Sequence, residues 1–358
     1  MWKLFALEAL RAGHAVAVGL PVLFAQSEEL DEFRRLGGVL FPYQPLNWLM
    51  RRMASQGCYS RFGKMRQWAP DILCVSLGAP CDIFWQKDLL TFLRKNITPQ
   101  VYIVQCNAEG IIKGDHQRKA LHPLYANAAK IICVSHANAL LLERQFASRL
   151  PNTIILPNPI RSRLERPLPW PDDKSDMVRF ATVARYEVEC KCQDQILEAF
   201  ATSAWNSRNW HLDLFGGGPD KTYLQDLISY YGLENNVTIK GYERDIKKIW
   251  SGHHIHILIS RAEGLTLALI ESMFCGRPAI INRAGGNHEL SRDGLDGFIS
   301  PGLDLEVIQA TLERAWASRG KWKDMGESAF LRANGWVPKD LSVRLLETIT
   351  GTIKRTYP

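Results

Sequence analysis

The segment SRAEGLTLALIESMFCGRPAII, residues 260–281, decides the fold of the second half of the chain. It begins where the apolar run IHILIS ends, continues as a longer apolar run with polar interruptions, and closes on the short run PAII. A buried strand, a turn, a helix and another buried strand are typical of sheets whose parallel strands are joined by helices. We therefore predict a turn over 260–264 and a helix from about Leu265.

The same alternation of short and long apolar runs extends through the whole chain. The short runs that we interpret as strands include ILCVSLG, VYIVQC and KIICVS in the first half and VRFATVAR, HLDLFG and VTIKG in the second. The alternation stops at residues 156–176, which contain five prolines and no apolar period. A chain of 358 residues exceeds one ordinary core,. The sequence predicts two doubly wound α/β domains, residues 1–160 and 161–335, each with a parallel sheet.

Charge is distributed unevenly along the chain. Residues 1–160 hold 18 Lys and Arg against 11 Asp and Glu, whereas residues 161–358 hold 26 of each, so the first half carries the whole net charge of +7. A basic half is compatible with a nucleic acid, an anionic membrane surface or an acidic substrate. No recognised nucleic-acid module accompanies the charge, so we expect no nucleic-acid partner.

Cysteine usage and hydropathy indicate the compartment. The eight cysteines form no C-x-x-C pair and no zinc-ligand spacing, which indicates reduced thiols, no metal site and a cytoplasmic protein,. No uncharged apolar run reaches 18 residues,. The first residues divide into a helix over 2–12, a stop at Gly13 and a strand over 15–20, in preference to a signal peptide.

The turn over 260–264 and the start of the following helix have the properties of an anion site. Free amide groups and the positive end of the helix dipole face the carboxyl end of the strands, and we assign Gly264, Leu265 and Thr266 to donor binding. Glu263 lies at this helix start, and Glu271 lies about 12 Å further along. A nucleotide sugar along the helix would place its sugar beside Glu263 and its ribose beside Glu271. The alternative is that Glu271 is simply solvated on an outer face.

Two further loops follow strands of the second domain. VARYEVECK supplies Arg185 and Lys191, a guanidinium fork and a point charge suited to a diphosphate, although such residues are common in loops,. LFGGGPDKTYL places Gly216 and Gly217 after a strand, and NRAGGNHEL repeats the device. Each glycine group indicates either close backbone approach to a ligand or a plain turn. Neither forms G-x-G-x-x-G, which argues against a dehydrogenase.

Together these segments resemble the family 4 retaining glycosyltransferases, which have the GT-B fold. The resemblance covers the second domain in order, through VARYEVECKCQDQILEAF, LFGGGPDKTYL, VTIKGYERDI, SRAEGLTLALIESMFCGRPAII and AGGNHELSRDGLDGFI. Its specific feature is the pair Glu263 and Glu271, eight residues apart, combined with Arg185 and Lys191, six apart. VSHANALLLERQF and LRAGHAVAVG of the first domain are similar to the family less closely.

The resemblance implies two Rossmann-like domains that face a cleft, with a C-terminal helix, residues 336–358, that crosses back to the first domain. Arg185 and Lys191 would neutralise the diphosphate, Glu263 would contact the transferred sugar, and Glu271 would hold the ribose. Transfer from a nucleoside-diphosphate sugar to a glycan or lipid-linked acceptor in cell-surface polysaccharide synthesis would retain the anomeric configuration and require no metal or other cofactor. The residues expected to contact sugar or acceptor are Asn107, Glu109, Gly285, Gly286 and Asn287.

The first domain departs from the family pattern. The opening strand and glycine-rich loop are missing because Met1 falls within the first helix, and VQCNAEG has no histidine in the central loop. Loss of a central strand would uncover its neighbours, so we expect that the sequence starts late. Cys192 also stands where glycine usually follows the lysine. The alternatives are an impaired GT-B protein that binds nucleotide or glycan without turnover, and a sugar-nucleotide epimerase of the same fold.

Residues 46–70 mix large apolar side chains with five arginines and lysines. This composition suits a helix on an anionic membrane surface, and a lipid-linked acceptor would make peripheral binding at the inner face useful. The alternative is a core-facing helix with a solvated basic face.

Overall fold

The computed structural model describes residues 2–47, 50, 52–53, 60–160, 163–171 and 176–352. The chain divides into two compact units. Unit 1 comprises Met1–Pro159 and Lys339–Pro358, and unit 2 comprises Ile160–Pro338. The division after Pro159 lies inside the proline-rich segment 156–176, where the rhythm of strands and helices stops.

Unit 1 is built from short parallel strands and the helices that join them. Its elements are α1 (Trp2–Arg11), β1 (Ala17–Pro21), α2 (Val22–Ala25), α3 (Asp31–Arg35), β2 (Val39–Tyr43), α4 (Gly63–Gln67), β3 (Leu73–Leu77), α5 (Asp82–Trp85), α6 (Lys87–Lys95), β4 (Gln100–Val104), β5 (Cys106–Asn107), α7 (Gly114–Ala126), β6 (Lys130–Cys133), α8 (His136–Phe146), β7 (Thr153–Ile155) and, in chain order, α18 (Leu341–Thr350).

Six of the seven described strands of unit 1 form two sheets. β1 pairs with β2, and a four-stranded sheet has the order β3-β4-β6-β7, with all pairs parallel. Within the described residues, β1 and β3 each end their sheet with an unpaired edge. The expected helix, Gly13 stop and strand at the start of the chain are confirmed as α1, Gly13 with φ +86° and β1.

The C-terminal helix α18 belongs to unit 1, which confirms the expected return of the chain to the first domain. Its Leu345 and Ile349 are buried against apolar side chains of β4 and β6. A helix whose buried positions lie along one face stabilises the sheet that it covers, because apolar area is removed from water.

Unit 2 follows the same plan of strands joined by helices. These are β8 (Val178–Val183), α9 (Val188–Lys191), α10 (Gln193–Phe200), α11 (Ser203–Asn206), β9 (Trp210–Phe215), α12 (Lys221–Tyr230), β10 (Val237–Gly241), α13 (Ile246–Ser251), β11 (Ile255–Leu258), β12 (Glu263–Gly264), α14 (Leu267–Phe274), β13 (Ala279–Asn282), α15 (Asn287–Leu290), β14 (Gly297–Ser300), α16 (Leu305–Ala317) and α17 (Trp322–Trp336).

The main sheet of unit 2 has six parallel strands in the order β10-β9-β8-β11-β13-β14. The chain therefore winds outward in one direction from β8 and in the other direction from β11, which makes the β8/β11 boundary the switch point of a doubly wound sheet. An aromatic cluster fills one face, in which Phe200 stacks on Trp210 at 4.4 Å between ring centroids. The strands expected in this half are confirmed.

The segment 46–70 is described only in part, and residues 48, 49, 51 and 54–59 of the proposed membrane helix lie outside the described residues. In the part that is described, Arg61 forms a two-point ion pair with the fully buried Asp88, at 2.6 Å from Nε and 2.8 Å from Nη2. Phe62 is buried, whereas Lys64 and Arg66 are exposed. This pattern is that of the core-facing alternative. No helix in the described parts of the chain combines the length and apolar character needed to cross a bilayer.

Arg277 fastens the proline-rich segment to unit 2. Its side chain is fully buried, its guanidinium lies 5.3 Å from the Trp170 ring centroid, and burial lowers its pKa to about 10, so it stays charged at neutral pH. No carboxylate accompanies it among its described hydrogen-bond partners. The N–H groups of Arg277 instead donate to backbone carbonyls. These are the carbonyls of Trp250 at 2.9 Å, His253 at 2.8 Å, Cys275 at 3.0 Å and Pro169 at 2.7 Å.

We expect Arg277→Met to lower the free energy of unfolding of unit 2 by about 2–3 kcal/mol, because buried carbonyls lose their donors. Arg166→Met is the matched control, since Arg166 lies in the same segment and is exposed. Chemical denaturation followed by tryptophan fluorescence measures both. Equal stability of the two variants would show that the Arg277 network contributes nothing.

Candidate functional site

The site is built where the loops after β8 and β11 leave the sheet on either side of its switch point. The first loop leads into α9, and the second runs from Ile259 to Thr266. The Arg261 amide donates to the Cys190 carbonyl at 2.8 Å, and the Arg261 guanidinium donates to the carbonyls of Val188 and Glu189 at 3.1 and 3.3 Å. The second loop therefore holds α9 in place.

Lys191 and Glu263 form the centre of the site. The Lys191 ammonium donates to Glu263 Oε1 at 2.6 Å, and the two side chains are 17% and 8% exposed. These residues are 72 positions apart in sequence, and the sequence prediction that placed both in one site is consistent with this contact. An ion pair with little solvent has a strong local field, so an anion that enters here meets a cation already in position.

The Glu263 loop rests on the loop after β13. The Gly286 amide donates to the Gly264 carbonyl at 2.6 Å, and the Thr266 amide donates to Asn287 Oδ1 at 3.1 Å. Gly285 has φ +50°, and a Cβ there would lie 2.4 Å from the Glu263 carbonyl oxygen. Gly285 therefore fits the interpretation of close backbone approach. The backbone that it approaches is that of the Glu263 loop.

The other glycine group packs against the loop that carries Arg185. Gly216 has φ +148°, and a Cβ would lie 1.9 Å from the Ala184 carbonyl oxygen. The Gly217 carbonyl accepts from the Tyr186 amide at 3.1 Å. Arg185 itself extends outward with a 70% exposed side chain, 3.3 Å from Glu187. The structure thus positions the Arg185 backbone firmly and leaves its guanidinium accessible.

Glu271 lies in α14 on the same side as Leu267, which is 37% exposed, and it is half-buried. Its apolar neighbours in sequence, including Leu269, Ile270 and Met273, are buried on the other side. The carboxylate therefore does not lie in an apolar core, because the 3.6-residue period of the helix separates it from those neighbours. Both sequence interpretations, a ribose ligand and a solvated outer face, require this accessible position. Leu265 is buried.

Asn107 and Glu109 belong to unit 1. The Asn107 amide donates to Gln145 Oε1 at 3.0 Å and is buried, while Glu109 pairs with Arg144. These contacts lie within unit 1, and both side chains have partners in their own loop and helix.

Two thiols flank Lys191. Burial raises the pKa of Cys190, and burial raises the pKa of Cys192 to about 11, so both thiols are neutral at physiological pH. Neutral thiols add no negative charge beside the Lys191 ammonium. The anionic group in direct contact with that ammonium in the described structure is Glu263.

Sequence reasoning missed two residues that hold the site together. The sequence presents Arg261 only as part of the turn over 260–264. An exposed arginine in a loop has no sequence pattern that distinguishes a residue holding a neighbouring helix from a solvated charge. Asn282 joins the strand ends by accepting from the Ser260 amide at 3.0 Å and donating to the Ser260 carbonyl at 2.8 Å. A polar residue directly after the buried run PAII was the available signal.

Comparison with known proteins finds a family match in this half of the chain. Residues 170–332 match the family model described as glycosyl transferases group 1. The matched range covers most of unit 2. The match includes Arg185, Lys191, Glu263 and Glu271, together with the three loops that surround them.

Curated relatives match over part of their length. An exopolysaccharide phosphotransferase of Streptomyces coelicolor is 31% identical over 144 residues, which cover 40% of this chain and 14% of that protein. The amylovoran biosynthesis glycosyltransferase of Erwinia amylovora is 27% identical over 135 residues, 37% of this chain and 38% of that protein. The chain therefore spans less than two fifths of either relative.

Solved structures match over both units. The Anabaena HepE protein, solved in complex with UDP and glucose, superimposes with a TM-score of 0.71 over 99% of this chain and 95% of that chain, at 19% identity. The chain has the GT-B fold of such neighbours, which confirms the fold expected from the sequence.

We expect Arg261→Ala to loosen α9 and thereby Lys191, because three guanidinium contacts to the 188–192 segment are lost. Amide exchange measured by mass spectrometry on a peptide spanning residues 184–192 should accelerate about tenfold, which corresponds to about 1.4 kcal/mol in the local opening free energy. Arg244→Ala is the control, since Arg244 is exposed in a neighbouring loop of unit 2. Unchanged exchange in the Arg261 variant would refute the clamp.

Proposed function

We propose that the chain is a retaining glycosyltransferase of family 4. It transfers a sugar from a nucleoside-diphosphate sugar to a glycan or lipid-linked acceptor in cell-surface polysaccharide synthesis. The observation that carries the proposal is the Lys191–Glu263 pair at the switch point of a domain that matches the glycosyl transferases group 1 model. The cation can bind the phosphate side of a sugar–phosphate bond, and the carboxylate can bind hydroxyl groups on the sugar side.

The leaving group determines the role of the cations. When the bond between the sugar C1 and the phosphate oxygen breaks, the electron pair stays on the nucleoside diphosphate and negative charge accumulates there. Lys191 is already in place, and Arg185 has an accessible fork that can bind two phosphate oxygens,. We assign charge neutralisation to these two residues, so the proposal includes no metal or other cofactor.

The acceptor attacks from the face that the phosphate leaves. Its hydroxyl oxygen bonds to C1 and its proton passes to the departing phosphate oxygen, so the anomeric configuration is retained without a protein nucleophile. Glu263, released from Lys191 when the diphosphate replaces it, binds hydroxyl groups of the transferred sugar. The amides of Gly264, Leu265 and Thr266 and the loop at Gly216 and Gly217 line the phosphates.

Glu271 holds the nucleoside end of the donor. It lies eight residues beyond Glu263 and on the accessible side of α14, and a carboxylate there can accept both hydroxyls of a ribose. Gly285, Gly286 and Asn287 support the Glu263 loop and contact the sugar. Asn107 and Glu109 of unit 1 are assigned to the acceptor side.

Three observations made on relatives agree with this assignment. The Erwinia relative acts in amylovoran biosynthesis, the HepE structure holds UDP and glucose, and another relative, from Streptomyces kanamyceticus, is an alpha-D-kanosaminyltransferase. For this chain we propose a cytoplasmic enzyme that works at the inner face of the membrane when its acceptor is lipid-linked.

A panel of nucleoside diphosphates tests the donor site first. A ligand at about a hundred times its Kd stabilises the folded state by about 2.7 kcal/mol, which a thermal shift detects. The nucleoside diphosphate with the largest shift selects the sugar nucleotides for the kinetic assay.

With that donor, we expect Lys191→Ala to lower kcat by about 10²–10³-fold, because the leaving group loses a preorganised cation. Glu271→Ala should mainly raise the donor KM, because its contact is made equally in the ground state and the transition state. Release of nucleoside diphosphate is the measured quantity. Lys248→Ala is the control, an exposed cation of α13 in the same unit.

Other outcomes would decide against the proposal. Binding of nucleotide with no release of diphosphate by the full chain supports the binding protein that lacks turnover. Conversion of the donor without an acceptor supports the epimerase. An undiminished kcat of Lys191→Ala would show that Lys191 does not neutralise the leaving diphosphate.

A further inference from the structure

Unit 1 contains a cavity that the proposed reaction does not use. It has a volume of about 330 Å³ and lies between α6 and α7, with Phe84 of α5 as its apolar wall. Ligand pockets begin at about 300 Å³, so this cavity has room for a small organic molecule or for one group of a larger one. Its polar lining consists of Lys87, Thr91, Arg94, His116 and Lys119.

The lining is cationic and partly organised in advance. The Lys87 ammonium lies 3.6 Å from the centroid of the Phe84 ring, and the His116 ring meets the same aromatic side chain edge-on at 5.3 Å. Arg94 Nη2 donates to the Ala120 carbonyl at 2.8 Å, which fixes the guanidinium against α7. Three permanent cations and one histidine thus surround one space.

Carboxylates do not neutralise this lining. Within the described residues, Lys87 and Arg94 form no ion pair, and the cavity wall contains no aspartate or glutamate. The neighbouring acids are engaged elsewhere, because Asp88 binds Arg61 and Asp115 binds Arg118 on the exposed side of α7. Lys119 lies 3.5 Å from Asp115 and is 73% exposed, so its contact is weak and exchangeable,.

The pKa of Lys87 is consistent with a repulsion between Lys87 and Arg94 that accompanies their geometry. It is lowered first by burial and second by the positive charge of Arg94. A bound anion would oppose both effects, since a nearby negative charge favours the protonated amine. A phosphate monoester carries about −1.5 to −2 charges, which balances up to two of these cations.

We propose that this cavity is an anion site that binds a phosphate group attached to an organic ligand. It is formed by Lys87, Arg94, His116 and Lys119 of unit 1, and it is additional to the diphosphate site proposed for unit 2. Arg94 supplies the fork and Lys87 the point charge, while Phe84 packs against the group that carries the phosphate. The inference does not depend on the proposed glycosyl transfer.

The ligand has two sources with the same chemistry. One is a soluble phosphorylated glycan or polyol, and the other is a lipid phosphate headgroup. Trp85 lies beside the cavity, with its ring 5.2 Å from Phe84 and 66% of its surface exposed. An exposed tryptophan next to lysine and arginine suits the polar interface of a membrane, so the experiment includes a lipid probe.

The test compares two double variants of the full chain with equal change in charge. Lys87→Gln with Arg94→Gln removes the cavity cations, whereas Lys95→Gln with Lys113→Gln removes exposed cations of the same region outside the cavity. Glycerol 1-phosphate is titrated into each variant by calorimetry, and because the site of unit 2 is identical in both variants, any difference in binding comes from the substituted cations. Sedimentation with vesicles of phosphatidylglycerol and phosphatidylcholine, against phosphatidylcholine alone, provides the lipid arm.

We expect the cavity variant to bind at least one probe about tenfold more weakly than the control variant. Loss confined to glycerol 1-phosphate identifies the soluble source, and loss confined to anionic vesicles identifies the lipid source. Equal binding by the two double variants to both probes, or no binding by the unmodified chain, overturns the site. If the cavity double variant fails to fold, Lys87→Met with Lys95→Met as its control makes the same comparison.

Discussion

The site of unit 2 depends on one constraint, the reversal of strand order between β8 and β11. Because β8 is followed by β9 on one side and β11 is followed by β13 on the other, the loops that leave the two strands flank an open crevice between them,. Lys191 and Glu263, which are 72 residues apart in sequence, come into contact at this crevice. The loop after β13 then supports the second of them through backbone contacts at Gly285 and Gly286.

The Lys191–Glu263 contact explains how an ammonium group can lie in a site with little access to water. An unpaired ammonium with little access to water would be costly, and the carboxylate offsets that cost while the site is free of phosphate. In the proposed reaction an entering diphosphate would replace Glu263 as the anionic partner of the ammonium. The net gain in free energy is therefore the difference between two ion pairs, which limits affinity but keeps the reacting groups ordered before the donor arrives.

Much of this arrangement was readable from the sequence. The alternation of short and long apolar runs located the strands and helices, and the run VTIKG coincides with β10. The residues chosen from loops after strands, Arg185, Lys191, Glu263 and Gly285, lie in the loops that meet at the crevice. These loops lie together because parallel strands place all their carboxyl ends at one edge, so position along the chain converts directly into position in space.

The features that escaped prediction depend on contacts between distant or exposed side chains. The division of the unit 1 strands into two sheets is a property of strand pairing, which apolar runs do not encode. Arg94 and Lys119 look like ordinary solvated charges until two helices bring them to one cavity.

Cys192 illustrates a compromise at the junction of α9 and α10. It adopts a left-handed conformation, with φ +48°, which costs a residue with a Cβ atom about 1–2 kcal/mol and costs glycine nothing,. The side chain that creates this strain is fully buried, and its sulfur lies 3.2 Å from the Arg261 guanidinium. The thiol thus adds packing and a partner for Arg261 at the point where glycine would add only freedom. Strain in the backbone here accompanies stiffness in the neighbouring turn, so relief of one would relax the other.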